Sequence, residues 1–196
     1  MTTGILKPTA MAALAVAIVS TSAIAQGTAT TPSGTEAAGT SKSAAAAKLD
    51  SADRKFVEHA AAGGVAEVEM GKLAQEKASS GQVKQFAALM AQDHSKANDE
   101  LKQLAQTKGV AVAAAPDKAH KSDMDKLSKL SGAQFDRQYM EHMVSDHRKT
   151  VAEFKKASES AKDSEVKAFA AKTLPKLQDH LAQAQSVNDA VKSASK

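Results

Sequence analysis

Phe56, Ala60, Gly63, Glu67, Met70 and Ala74 fall at alternating spacings of four and three, and so do Val83, Ala87, Met90, His94, Ala97, Leu101 and Leu104. Each set therefore occupies one face of an α-helix. Two further stripes follow: Phe135, Met140, Met143, His147, Val151 and Phe154, then Val166, Ala170, Thr173, Leu177, Leu181, Ala184 and Val191. No run of β-branched or aromatic residues alternates for long enough to make a strand. The expectation is an all-α domain of four long helices.

The breaks between stripes set the topology. "SSGQ" at 79–82 is short, so the first helix (51–78, capped by Ser51) and the second should be antiparallel neighbours. The stretch 107–132 is longer and contains a short helix carrying Met124, Leu127 and Leu130, with Pro116 suited to its first turn. Ten extended residues and four helical turns reach about 50 Å. That spans a bundle, so the expected fold is a four-helix bundle with a long crossover connection between the second and third helices. The third helix covers 133–160 and the fourth starts near Asp163, with Pro175 expected to kink it one turn before His180. Alanine makes up about half of the apolar residues, which favours close helix approach but buries little area per residue. The few large side chains must carry the core.

Upstream of the stripes the composition changes twice. Residues 1–25 combine Lys7, an apolar run and the small residues Ala23 and Ala25, the pattern of a cleaved signal peptide. Ser20, Thr21 and Ser22 break that run short of the roughly 20 residues a membrane span needs. Residues 26–49 are rich in Ala, Thr and Ser with little to bury, a disordered tether. The bundle domain is expected over 50–194, exported to the periplasm or cell envelope, without a transmembrane anchor in the mature chain. The absence of cysteine excludes disulfides and thiolate ligands. A surplus of four basic residues, one Tyr, five Phe and no Trp offer no nucleic-acid surface.

One heptapeptide pattern occurs twice, "MAQDHSK" at 90–96 and "MVSDHRK" at 143–149. Met and His four apart share a helix face, and in both copies that face is the apolar stripe. The histidines should therefore point inward. Asp93 and Asp146 lie about 100° away, each three residues before a lysine, Lys96 and Lys149, a spacing suited to surface ion pairs. Glu67, His94, His147 and His180 each fall near the middle of their helix, so whichever way the helices run they should meet in one layer. One carboxylate and three imidazoles on a dry axis suit one transition metal ion, zinc, copper or iron. Asp93, Asp146, Asp179 and Tyr139 are candidates to orient those ligands. The competing reading is a metal-free polar layer in a structural or interaction module, with buried groups paired to one another. His59, His120 and His142 lie off the stripes and receive no role. No cysteine, Gly-x-Ser-x-Gly or glycine-rich phosphate loop is present, so nothing points to a hydrolase or a nucleotide site.

The stretches "DRKFVEHAAAGGVAEVEMGKLAQEK", "SGAQFDRQYMEHMVSDHRKTVAEF" and "FAAKTLPKLQDHLAQAQ" resemble the exported bacterial family called domain of unknown function forty-one forty-two, whose members are often labelled predicted outer membrane proteins. The resemblance implies a ferritin-like bundle and association with the envelope, but no established activity. Di-iron bundles of that kind use Glu-x-x-His on two helices. Here Ala91, Val144 and Leu177 stand three residues before the inward histidines, which argues for a single ion over a bridged pair.

Overall fold

The structure, a computed structural model, describes residues 48–194. The signal peptide expected over 1–25 and all but the last two residues of the tether lie outside the described residues. Five helices and no strand are found among them: α1 (Ser51–Lys77), α2 (Gly81–Thr107), α3 (Lys118–Ser128), α4 (Gly132–Ser160) and α5 (Ser164–Ala194). They form a helical bundle. The most extensive pairings are α1 with α2 and α4 with α5, closed by α2 with α5 and α1 with α4, while short α3 packs on α1 and α4.

The helix ends follow local chemistry, with two corrections to the sequence reading. Asp50, not Ser51, caps α1 by accepting from the Ala52 amide at 2.8 Å. Its carboxylate is the stronger acceptor, and Ser51 becomes the first helical residue. Asp117 caps α3 through the His120 amide, so Pro116 sits just before the cap and outside the helix. Asp163 caps α5, which continues through Pro175 to Ala194. After α2, Gly109 takes φ 64°, a left-handed closure that lets the Val110 amide reach the Ala105 carbonyl and buries Val110.

The two tight turns are each held from the opposite hairpin. Asp136, near the start of α4 and only 2% exposed, accepts from the Ser79 amide, the Ser79 hydroxyl and the Ser80 amide at 2.5–3.1 Å. Asp53, near the start of α1 and 4% exposed, accepts from the Lys162 and Asp163 amides at 3.0 and 2.7 Å. These buried carboxylates satisfy amides that the helix ends leave without partners.

The apolar interior falls into two clusters. One gathers Met70, Met90, Met140, Met143, Phe86, Phe135 and Tyr139, so the methionines serve as core filler. The other gathers Leu49, Phe56, Leu101, Phe154, Phe169 and Leu177. Small residues bring α1 and α2 together: a Cβ on Gly71 would stand 2.8 Å from the Ala87 carbonyl oxygen and 3.1 Å from the Ala91 amide. Both are backbone atoms that cannot rotate away. Gly71→Ala should therefore cost about 1–2 kcal/mol, an overpacking penalty partly offset by better helix propensity. Urea unfolding measures it, and an unchanged midpoint would show that the helices separate freely.

Candidate metal centre

Glu67, His94, His147 and His180 are all buried, and they belong to neither apolar cluster. The stripe periodicity explains why. His94 lies one turn after Met90, His147 one turn after Met143, and His180 follows Leu177 on α5, all facing the bundle interior. The three imidazoles form a nearly equilateral triangle, with ring centroids 5.5–5.7 Å apart. One ligand atom of each lies within 4.8 Å of the other two. A tetrahedral ion at 2.0–2.1 Å needs about 3.4 Å between ligands, so the rings would close in by roughly 1 Å.

The surroundings decide which nitrogens are free. Nδ1 of His147 donates to the Met143 carbonyl at 3.0 Å, and Nε2 of His180 donates to the Asp93 carboxylate at 3.0 Å. This leaves Nε2 of His147 and Nδ1 of His180 without partners, and Nε2 of His94 has none either. A backbone carbonyl and a carboxylate holding the outer nitrogens is the arrangement that orients metal-binding histidines. The buried His94/His147/His180 group could hold a metal ion.

Electrostatics agree with neutral rings. Burial pushes His94 well below its ordinary value, helped by the neighbouring charges of His147 and His180. Burial and His180 lower His147 to about 4, and burial lowers His180 despite the opposing carboxylate of Asp93. Neutral imidazole is the form that ligates.

Glu67 stands beside this triangle. Its Oε1 is 3.8 Å from Nδ1 of His147, and its carboxylate lies within 4.8 Å of that of Asp146. Burial, then the Asp146 charge, raises its pKa well above the usual carboxylate range. Tyr139 is fully buried with its hydroxyl unpaired, stacked on Phe135, and burial followed by the Glu67 charge raises its pKa. Asp179 is exposed and reaches His180 only through its charge. The surface-pair reading of the other aspartates is corrected: Asp93 pairs with His180 and, at 3.8 Å, Lys176, while Asp146 turns inward to Glu67. About 100° round a helix from an inward histidine is the seam with the next helix, not open solvent.

A cavity of about 440 Å³ opens on this layer. Glu67 and the three histidines line one part of it, and Leu101, Phe154, Phe169 and Leu177 another. Gly63 lines it too, and a Cβ there would come no nearer than 4.0 Å to His120. His120 and His142, given no role from sequence, also face it. Their signal was present but weak: His142 is four residues before Asp146, and His120 three before Asp123.

The family profile described as domain of unknown function DUF4142 matches residues 38–187. The chain belongs to the DUF4142 family. No functionally curated protein matches the sequence. Among solved structures, this DUF4142 domain is similar to a DUF305 fragment from Deinococcus radiodurans, at 15% identity and TM-score 0.64, covering 72% of this chain and 98% of that one. It is also similar to a DUF305 protein from Streptomyces coelicolor described as a candidate secreted protein, at 17% identity and TM-score 0.62, covering 72% and 92%. At such identities the likeness concerns the fold. No helix among the described residues is long and apolar enough to cross a membrane.

Proposed function

We propose that this DUF4142 domain is an exported, ferritin-like four-helix bundle that binds one transition metal ion, zinc, copper or iron, for metal handling or stress protection in the cell envelope. The observation that carries the metal is the triangle of buried imidazoles, each with one unpaired nitrogen. His94, His147 and His180 are the ligands, and Glu67 supplies the carboxylate at their side. Three imidazoles leave a fourth position for Glu67 or a molecule from the cavity.

The turn clamps support the bundle topology. Asp53 ties the start of α1 to the α4–α5 turn, and Asp136 ties the start of α4 to the α1–α2 turn. The end of α2 and the start of α4 then lie at opposite ends, so the chain through α3 must cross the bundle. Export draws support from the DUF305 protein described as a candidate secreted protein.

Metal uptake tests the proposal. After chelation and dialysis against zinc, the wild type should retain about one equivalent, and His147→Ala less than a tenth of that. Equal retention by both would end this reading. It would favour a metal-free envelope module, for which the His180–Asp93 and His147–Met143 hydrogen bonds already satisfy part of the polar layer.

A further inference from the structure

A metal ion would use one end of the cavity and leave the other without a purpose. Beyond the triangle the wall is apolar: Leu177 stands one turn from His180 on α5, while Leu101 and Phe154 stand two turns from His94 on α2 and His147 on α4. At 1.5 Å per residue, that wall begins about 5 Å and ends about 10 Å along the axis from the imidazoles. Phe169 completes it, its ring centroid 6.1 Å from that of Phe154. An ion needs no such room, but a ligand with an apolar body does.

The triangle sets the head of that ligand. His147 donates to the Met143 carbonyl and His180 to the Asp93 carboxylate, so the remaining nitrogen of each ring is an acceptor. Both side chains are only 1% exposed, and both acceptors lack partners. Nε2 of His94 is likewise buried and unpartnered. One nitrogen of each ring lies within 4.8 Å of the other two. A primary ammonium donates three hydrogen bonds in tetrahedral directions, and at about 2.9 Å each its acceptors stand about 4.7 Å apart. The three rings admit that spacing as they stand, whereas a metal ion must draw them in.

Charge agrees with a cationic head. Leaving Glu67 aside, five carboxylate residues line the cavity against two lysines, Lys149 and Lys176. A cleft with that balance concentrates cations and repels anions.

We propose that the cavity binds a primary amine with an apolar body, its ammonium among His94, His147 and His180 and its body against Leu101, Phe154, Phe169 and Leu177. Binding is noncovalent. It goes beyond the metal-binding reading and does not depend on it, and ion and ammonium occupy the triangle one at a time.

Gly63 offers a variant that leaves the imidazoles unaltered. It lines the cavity one turn before Glu67, towards Phe56, which shares a cluster with the apolar wall. A Cβ there would come no nearer than 4.0 Å to His120, so Gly63→Leu can grow into the space meant for the ligand's body.

Calorimetric titration of the chelated protein with phenethylamine tests this. One equivalent should bind, with Kd in the millimolar range or below. Phenethyltrimethylammonium keeps the charge and the body but has no N–H, and phenethyl alcohol keeps the body without the charge. Each should bind about tenfold more weakly or worse, and so should phenethylamine to His147→Phe, which lacks one acceptor. Gly63→Leu, shown to be folded by circular dichroism, should lose affinity by a similar factor. Absence of binding at millimolar phenethylamine overturns the proposal, as does equal binding of the trimethylated analogue or unchanged affinity in folded Gly63→Leu. A wild type that binds phenethylamine but retains no zinc upholds the amine site and ends the metal reading. Zinc retained by a protein that ignores the amine does the reverse, so the two failures are told apart.

Discussion

Acidifying the metal-free protein from pH 7 towards pH 4 should remove about 3 kcal/mol of stability through His147 alone. An unfolded histidine titrates near 6.5, whereas His147 in the fold titrates at about 4. Between those values the unfolded chain binds more protons, so stability rises with pH across that window. The contribution is complete above about pH 6.5 and is lost as pH falls towards 4. His94 and His180 are shifted in the same direction and add to the loss. Glu67 opposes it: its raised pKa means that the folded state takes up a proton first, and acidification relieves a strain there. Urea unfolding at intervals from pH 7 to 4.5, in chelator, reads the slope. His147→Gln should flatten it, and a slope identical in wild type and His147→Gln would mean that this ring is hydrated in solution.

Asp136→Ala should destabilise the protein by about 3–4 kcal/mol, lowering Tm by roughly 6–15 °C. The side chain is buried and accepts three hydrogen bonds, two from backbone amides that no rotation can redirect. Its removal strands those donors and unties the α1–α2 turn from α4. Asp136→Asn keeps one acceptor oxygen and should lose about half as much. Differential scanning calorimetry would expose the error if the alanine variant melted within 2 °C of wild type.

Much of the fold was legible because helical periodicity is a local property. The stripes through Phe56 and Val83 placed their helices within a residue or two, and mid-helix position was enough to gather His94, His147 and His180. Relations between helices were less legible. Asp93 and Asp146 sit three residues from lysines, and only the packing of α2 on α5 and of α1 on α4 shows that they face a histidine and a glutamate instead. The clamps at Asp53 and Asp136 join residues more than fifty positions apart, with no spacing rule to betray them. His120 escaped notice because it belongs to a connection whose path across the bundle depends on every other helix. Sequence periodicity fixes an angle round one axis; it carries nothing about the neighbouring axis.

The division of the interior into two apolar clusters has a mechanical consequence. No continuous greasy column runs from end to end, since the histidines and Glu67 interrupt it at mid-height. The same four long helices run through both halves, so an ion held there, as proposed, would add a crosslink at the one level where apolar packing gives way.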